Sequence, residues 1–265
     1  MGLKISLGQM NISLGKPDEN LAKARRMTSD AAKRGSDIII FPELWSTGYD
    51  LENAALYSAP TDRGIFAEMS ALAKEYSIHI LGSCLSLLSP DQFGNTAVFF
   101  DPSGVILGEY SKIHLFRLMN EHKYLTAGDH LTLVETKWGK IGLAICYDLR
   151  FPELFRAYAL AGAKAVFLPA EWPYPRLTHW QTLLRARAIE NQMYMIACNR
   201  IGKSGDTRFF GHSCIIDPWG EIILEAGGDE ELLTAEIEMD RVQQARSRIP
   251  VFEDRRPEVY QKISS

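Results

Sequence analysis

The stretch GSDIIIFPELW, residues 35–45, places four consecutive apolar residues between turn-forming ends. A strand that is apolar at successive positions is covered on both faces, as strands of buried parallel sheets are. A similar stretch, GAKAVFLPAEW, recurs at residues 162–172, with Gly, Pro and Trp at matching places. The two stretches therefore predict one doubly covered strand in each half of the chain.

A second pair of similar stretches points to a duplicated architecture. The segment DPSGVILGE at residues 101–109 resembles DPWGEIILE at residues 217–225. Each half then runs strand, helix, strand, helix, strand and hairpin. This order predicts an α/β fold with two sheets packed face to face and helices outside, a four-layer αββα sandwich. Convergent turn chemistry is the alternative explanation, because Asp-Pro-x-Gly suits many tight turns.

The whole chain alternates apolar runs with amphipathic stretches, which is the pattern of strands interleaved with helices. Strands are predicted at residues 4–10, 37–43, 78–88, 96–100, 105–113, 140–148, 164–172, 193–200, 213–217 and 221–226. Helices are predicted at residues 18–35, 61–77, 151–163 and 175–192. We expect residues 1–265 to form a single domain, in which residues 241–265 are a loosely patterned C-terminal tail.

The composition indicates a folded protein with no strong charge. The chain has 46% hydrophobic and 23% charged residues, and 29 Lys and Arg against 33 Asp and Glu give a net charge of −4. A chain with a slightly negative net charge is not expected to bind nucleic acid or an anionic membrane. The N-terminus lacks the unbroken apolar core of a secretion signal, and no apolar run could span a membrane. We expect a cytoplasmic protein.

One of the four cysteines stands out by its surroundings. Cys84, Cys198 and Cys214 lie inside apolar strands and are predicted to be core residues. Without a CxxC pair, no disulfide framework, metal site or cofactor is expected. In GLAICYDLRFPELFR, residues 142–156, Cys146 ends an apolar run just before a helix start. The helix dipole and free backbone N–H groups there favour a thiolate, so Cys146 is the candidate nucleophile.

Two charged residues occupy similar positions at strand ends. Glu43 ends the apolar run DIIIFPE, which is a costly place for a charge unless the strand opens into a site. Lys112 follows a strand in EYSKIHLF. Open α/β sheets place their sites at the C-terminal ends of strands. The three residues fit one chemistry, with Glu43 as proton acceptor, Cys146 as nucleophile and Lys112 as a cation near the developing oxyanion.

Two other interpretations remain open on the residues alone. A Cys-His hydrolase would use Cys146 with His114 or His179, since catalytic partners are rarely adjacent in sequence. A catalytically silent binding or scaffold protein is the second alternative. The presence of Glu43, Lys112 and Cys146 together disfavours this alternative, because a protein without catalytic activity would be expected to have lost at least one of the three residues.

Three stretches around these residues, FPELWSTGYD, EYSKIHLF and CYDLRFPELFR, resemble in sequence and order the signatures of the nitrilase superfamily of carbon-nitrogen hydrolases. The resemblance implies the four-layer sandwich and a Glu-Lys-Cys triad, which falls on Glu43, Lys112 and Cys146. It also implies a second glutamate after the lysine, Glu121, which should hold Lys112 and orient the substrate.

Other stretches are most similar to the bacterial ω-amidase branch of that superfamily, namely LMNEHKYLTAG, AEWPYPRLTHW, RARAIENQMY, FGHSCIIDPWG and RIPVFEDRR. That branch hydrolyses the side-chain amide of 2-oxo-acid amides through a cysteine thioester and releases ammonia. Related branches act on short aliphatic amides, N-carbamoyl compounds and deaminated glutathione. The tail resembles a segment that relatives use across a dimer interface, so a homodimer or larger homo-oligomer is expected.

Further roles are hypotheses at this stage. The backbone N–H of Tyr147 should help to hold the oxyanion. Arg176 is the candidate for a substrate carboxylate, with Trp172 as a wall, because Arg suits bidentate recognition. The alternative is that Arg176 is a surface arginine at a helix start. Arg150 is interpreted as structural, paired with Glu153 or Asp148. The helix 175–192 is expected to pack through Trp180, Leu183, Leu184 and Ile189.

Overall fold

The computed structural model describes residues 2–260, which form fourteen strands and eight α-helices. The strands are β1 (Gly2–Gln9), β2 (Ile38–Ile40), β3 (His79–Ser89), β4 (Gln92–Phe100), β5 (Ile106–Ser111), β6 (Leu133–Thr136), β7 (Gly139–Leu143), β8 (Ala165–Ala170), β9 (Tyr194–Asn199), β10 (Ile201–Ser204), β11 (Thr207–Phe210), β12 (Cys214–Ile216), β13 (Ile222–Glu225) and β14 (Glu231–Glu238). The helices are α1 (Pro17–Lys33), α2 (Ala54–Tyr57), α3 (Gly64–Tyr76), α4 (Glu121–Tyr124), α5 (Pro152–Leu160), α6 (Leu177–Asn191), α7 (Asp240–Arg248) and α8 (Pro257–Tyr260).

The two large sheets repeat one topology. Their strand orders are β14-β1-β2-β3-β4-β5 and β6-β7-β8-β9-β12-β13. In each sheet three parallel strands lie in the middle, an antiparallel hairpin follows on one side, and one antiparallel strand closes the other. The two similar stretches from the sequence hold β2 and β8, which occupy equivalent places. The duplicated architecture expected from the sequence is therefore present.

The layers explain why the central strands are apolar at successive positions. Ile38 and Ile40 belong to the core between the two sheets, whereas Ile39 belongs to a separate core beneath α1 and α3. Across the sheet interface the rings of Phe99 and Phe167 meet edge to face, with centroids 5.8 Å apart. Helices α5 and α6 cover the second sheet with buried side chains of their own. The arrangement is the expected four-layer αββα sandwich.

The elements that the sequence did not predict lie mostly at edges. They are β6, β14, the small β10–β11 hairpin and the short helices α2 and α4. Strand β14 pairs with β1 along its full length, but its sequence ELLTAEIE mixes charges with apolar residues and is only half buried. Edge strands carry a weaker apolar pattern because one side faces solvent.

The structure adds one helix, α7, that the sequence did not predict, and it contradicts one packing expectation, that of Ile189. The tail after residue 240 begins with α7, whose Val242 and Ala245 are buried, and the Gln192 side chain donates to the carbonyl of Ile249 at 2.9 Å. In α6, Trp180 and Leu184 are buried as expected, but Ile189 is 49% exposed. Residues 261–265 lie outside the described part of the chain. A role of residues 241–265 in a dimer stays a prediction.

Within residues 2–260, no helix combines the length and hydropathy needed to cross a bilayer. The same part of the chain contains no group of three or more His, Cys, Asp and Glu side chains placed to hold a metal ion.

Replacing Phe99 with Ala should lower the free energy of unfolding by about 3–5 kcal/mol, because the variant loses a ring buried between the sheets and leaves a cavity. Urea unfolding followed by tryptophan fluorescence measures this change. As a control, Leu56→Ala removes a side chain that is 75% exposed and should change the free energy by less than about 0.5 kcal/mol. Equal effects of the two substitutions would contradict the assignment of Phe99 to the sheet interface.

Candidate active site

The charged residues expected at strand ends converge at one edge of the sandwich. Glu43 follows β2, Lys112 follows β5 and Cys146 follows β7. The Lys112 ammonium donates to Glu43 Oε1 and to Glu121 Oε1, each at 2.7 Å. All three side chains are fully buried. The lysine is thus fixed between two carboxylates that come from separate segments of the chain.

Tyr49 joins the same cluster, although the sequence did not identify it. Its hydroxyl oxygen lies 2.9 Å from both Glu43 Oε1 and Glu121 Oε1, and 3.3 Å from Lys112 Nζ. Burial raises the pKa of Tyr49 well above its ordinary value, and the neighbouring carboxylates raise it further. The phenol therefore stays neutral and supplies one hydrogen bond to the carboxylate pair.

The charge of Lys112 follows from the balance of two effects. Burial alone would lower its pKa, but Glu121 and Glu43 outweigh burial and the pKa is raised above its ordinary value. Burial raises the pKa of Glu121, while the Lys112 ammonium opposes that rise. We conclude that Lys112 remains an ammonium at neutral pH, so it can stabilise negative charge but cannot accept a proton.

Glu43 is oriented by donors on both of its oxygens. Oε1 accepts from Lys112 and from Asn95 Nδ2 at 2.8 Å, and Oε2 accepts from the backbone N–H of Glu171 at 2.9 Å. Asn95 lies on β4, and Glu171 follows β8 in the second sheet. The carboxylate therefore has a single orientation, which both halves of the duplicated fold determine.

Cys146 occupies a tight turn between β7 and α5. The strand predicted for residues 140–148 ends at Leu143, and Cys146–Arg150 form a 3-10 turn. Cys146 has φ of 45°, a left-handed conformation that costs a non-glycine residue about 1–3 kcal/mol. The first internal bond of the turn runs from Asp148 N–H to the Ile145 carbonyl at 3.0 Å. The N–H groups of Cys146 and Tyr147 precede that bond, so the turn does not use them.

The Asp148 carboxylate holds this turn in place. It accepts the Ile145 N–H at 2.8 Å and the Tyr110 hydroxyl at 2.8 Å, and it contacts His114 Nδ1 at 2.7 Å. Asp148 is fully buried. Because Tyr110 belongs to β5 of the first sheet, Asp148 couples the conformation of the cysteine turn to the opposite sheet.

The thiol of Cys146 is not activated in the way that the sequence suggested. Burial raises its pKa well above the ordinary value and the Glu43 carboxylate raises it further, through its charge and a hydrogen bond. Lys112 and the Glu171 backbone N–H act in the opposite direction but do not prevail. The pKa of the thiol is raised because burial and the neighbouring Glu43 carboxylate both disfavour the thiolate. The resting thiol is protonated and needs a base.

Neither candidate histidine is placed to be that base. His114 stacks on Phe151 with ring centroids 3.6 Å apart, and its Nδ1 is engaged by Asp148. His179 Nδ1 lies 3.2 Å from Arg150 Nη2. The charged groups that act on the Cys146 thiol are Glu43 and Lys112. The geometry therefore favours the carboxylate over the Cys-His alternative.

A narrow, partly open cavity lies over Cys146, and the predicted binding residues line it. Its lining consists of Phe116, Cys146, Tyr147, Arg150, Glu171, Trp172, Pro173 and Arg176. Trp172 is buried, and its N–H groups bond to Asn199 Oδ1 at 2.7 Å and to the Arg176 carbonyl at 3.2 Å. The Arg176 guanidinium lies 5.6 Å from the ring of Phe116. Trp172 is therefore held in place at the cavity, and its role as a wall for the substrate stays a prediction.

The expected pairing of Arg150 with Glu153 or Asp148 was wrong. Its guanidinium lies over the Trp172 ring, 4.9 Å from the centroid, and contacts His179 instead of Glu153 or Asp148. Asp148 is already engaged by other groups, so it is not the partner. Arg150 and Arg176 both line the cavity and give it two guanidinium groups near the thiol.

Sequence reasoning missed three residues of this site: Tyr49, Asn95 and Glu171. Glu171 carried the same signal as Glu43, an acid at the end of an apolar run that becomes a buried strand. Asn95 is one of two polar residues, with Thr96, in the buried part of strand β4. Tyr49 lies inside the quoted stretch FPELWSTGYD, but nothing in its spacing distinguishes it from a surface tyrosine.

Comparisons with known proteins agree with this geometry. The sequence profile of the carbon-nitrogen hydrolase family matches residues 4–247. The 2-oxoglutaramate amidase of Bacillus subtilis is 43% identical over 256 residues, which cover 97% of this chain and 98% of that protein. The omega-amidase of Homo sapiens is 32% identical over 270 residues, covering 97% and 96%.

Solved structures lead to the same family. The chain aligns with a CN-hydrolase superfamily protein from Xanthomonas campestris, whose crystal structure carries an arsenic adduct in the active site, with a TM-score of 0.90 and 31% identity. The alignment covers 97% of this chain and 98% of that one. With the family profile matched over nearly its whole length, the chain belongs to the carbon-nitrogen hydrolase family.

Proposed function

We propose that this protein is an ω-amidase, which hydrolyses the terminal amide of a 2-oxo-acid amide and releases ammonia. The observation that carries the proposal is the fully buried Lys112 ammonium between Glu43 and Glu121, next to Cys146. The relatives named 2-oxoglutaramate amidase and omega-amidase support the substrate class. The two guanidinium groups of the cavity suit a substrate that carries a carboxylate.

The reaction begins with a proton transfer. Glu43 accepts the proton of the Cys146 thiol while the sulfur attacks the amide carbon and forms the C–S bond. The electron pair of the carbonyl moves onto the oxygen, and the Lys112 ammonium and the Tyr147 backbone N–H stabilise that charge. One preorganised donor of this kind is worth about 10²- to 10³-fold in rate.

Collapse of the tetrahedral intermediate releases ammonia. Glu43 returns the proton to the nitrogen, the C–N bond breaks with its electron pair on nitrogen, and the carbonyl re-forms as a thioester. Water then attacks the thioester, with Glu43 accepting its proton, and the acid product leaves as the thiol is protonated again. Glu121 and Tyr49 hold Lys112 in place throughout, because the ammonium donates to Glu121 Oε1 at 2.7 Å and lies 3.3 Å from the Tyr49 hydroxyl oxygen.

The far end of the substrate is bound by the cavity wall. Arg176 is proposed to pair with the substrate carboxylate. The Arg150 guanidinium lies against the Trp172 ring and offers further N–H donors to the substrate. Guanidinium groups recognise a planar carboxylate or 2-oxo-acid through paired N–H donors. A cytoplasmic location and assembly into a homodimer through residues 241–265 complete the proposal and stand as predictions.

Wild-type protein should release ammonia faster from 2-oxoglutaramate than from short aliphatic amides, N-carbamoyl amino acids or nitriles. The Cys146→Ala variant should lose at least about 10³-fold of that activity, because no other group can form the thioester. A coupled ammonia assay measures both, and circular dichroism checks that the variant is folded. Ammonia release by Cys146→Ala at a rate near that of the wild type would refute the nucleophile.

Replacing Glu43 with Gln should lower kcat by at least about 10²-fold, because the amide cannot accept the thiol proton. The matched variant His179→Ala should lose far less, since the ring contacts Arg150 and not the thiol. Both are compared at saturating 2-oxoglutaramate. The opposite result, with Glu43→Gln active and the histidine variant dead, would establish the Cys-His mechanism instead.

The Arg176→Gln variant should raise KM for 2-oxoglutaramate by about 10-fold or more, because a charge-assisted pair with the substrate carboxylate is lost. The same variant acting on a neutral aliphatic amide is the control and should keep its KM. Arg150→Gln tests the second guanidinium in the same way. An unchanged KM for 2-oxoglutaramate in both variants would count against this binding mode.

A further inference from the structure

Glu171 is a buried carboxyl that the proposed mechanism does not use. It follows β8 and is 1% exposed, yet it lines the cavity together with Cys146. Its backbone N–H donates to Glu43 Oε2 at 2.9 Å and also acts on the Cys146 thiol. The position of Glu171 relative to the base and the nucleophile is therefore fixed.

One oxygen of the Glu171 carboxyl is held firmly. Oε2 accepts from Arg200 Nη1 at 3.0 Å, and both side chains are fully buried. Arg200 is itself anchored by the Ile12 carbonyl at 2.7 Å and lies 4.3 Å from the Phe209 ring centroid. With Oε2 fixed to an immobile guanidinium, the carboxyl cannot rotate to exchange its two oxygens without losing that bond.

The other oxygen, Oε1, is buried and meets no hydrogen-bond donor anywhere in residues 2–260. Buried polar atoms without partners are rare and are stabilised when a donor arrives. Glu171 borders the cavity, so the donor can come from the molecule that enters it. A primary amide brings two N–H groups at the nitrogen that Glu43 must protonate, and that nitrogen becomes more positive as it leaves.

We propose that Glu171 determines specificity for the leaving group, with its free oxygen accepting an N–H bond from the substrate amide and from the departing ammonia. The inference rests on the proposed function, since it presupposes acyl transfer to Cys146. Glu171 takes no proton in this step: Glu43 delivers the proton, the C–N bond breaks, and the electron pair stays on nitrogen. A substrate with an alcohol leaving group offers no N–H and gains nothing from this contact.

The test compares one acyl group as its primary amide and as its methyl ester. In Glu171→Gln the amide oxygen of Gln turns to Arg200, which leaves an NH₂ group facing the substrate NH₂. At about pH 9, where the Glu171 carboxyl is ionised, the ratio of kcat/KM for amide to kcat/KM for ester should fall by about 10- to 100-fold, the worth of a hydrogen bond to a charged group. The ratio is independent of the folded fraction of the sample.

A second variant guards against loss of folding. Glu171→Asp keeps a carboxylate for Arg200 but is one methylene shorter, which withdraws the free oxygen from the cavity, so the same fall in the ratio is expected. A merely structural role for Glu171 would lower the amide and ester rates together and leave the ratio unchanged in both variants. That result would overturn the inference.

The dependence of this ratio on pH is a further readout. Burial raises the pKa of Glu171 to about 8, Arg200 opposes the rise, and Glu43 adds to it. The groups that face this carboxyl are Arg200, Glu43 and Lys112. Since the ionised oxygen is the better acceptor, the wild-type amide-to-ester ratio should rise between about pH 7 and pH 9, and Glu171→Gln should remove the rise. A rise that persists in the variant contradicts the assignment.

The two proposals fail in different ways. If the wild type releases no ammonia from any primary amide, the proposed function is wrong. If the wild type is active on the amide and the Glu171 variants keep its amide-to-ester ratio, only the inference about Glu171 is wrong.

Discussion

The structure depends on one buried interaction, the Lys112 ammonium held between Glu43 and Glu121. An ammonium without access to water is tolerated only when it is paired and hydrogen-bonded, because its desolvation is costly. Both carboxylates lie 2.7 Å from the ammonium nitrogen. Neither belongs to β5, the strand that precedes Lys112: Glu43 is 69 residues away in the sequence and Glu121 is 9 residues away. The sandwich must therefore close with its strand ends in register before this charge can be buried.

The balance of charge around Lys112 decides what the thiol can do. Glu43, Glu121 and Glu171 are three buried carboxyl groups, and Lys112 and Arg200 are the two buried cations next to them. Ionising Cys146 would add another negative charge to this group, and its pKa is raised accordingly. Loss of the thiol proton is thus favourable only when a base removes it during attack. We propose that Glu43 is this base, because Lys112, Asn95 and the Glu171 backbone N–H fix its carboxylate and its charge acts on the thiol.

The sequence predicted those parts of the site that follow from strand ends. Glu43 and Cys146 each end an apolar run, Lys112 follows a predicted strand, and the edge rule for α/β sheets brings the three together. Glu121 could be reached only through the family resemblance, because it lies in the four-residue helix α4 within an irregular segment. Contacts between residues of the two different sheets could not be predicted, because the sequence pattern does not show which residues of one sheet meet those of the other. Arg150 was misread because its partner, the Trp172 ring, comes from the end of a different strand.

The duplicated fold accounts for the place where the chemistry occurs. Strands β2 and β8 are equivalent, and each is followed by a buried acid that is paired with a cation from its own half of the fold: Glu43 with Lys112, and Glu171 with Arg200. The bond from the Glu171 N–H to Glu43 Oε2 joins the two equivalent segments. The two acids differ in their contacts: both oxygens of Glu43 accept hydrogen bonds, whereas Glu171 Oε1 is buried and meets no donor within residues 2–260. A site built at this junction draws its proposed base from one sheet and its proposed nucleophile from the other. Its geometry is therefore as rigid as the packing between the two sheets.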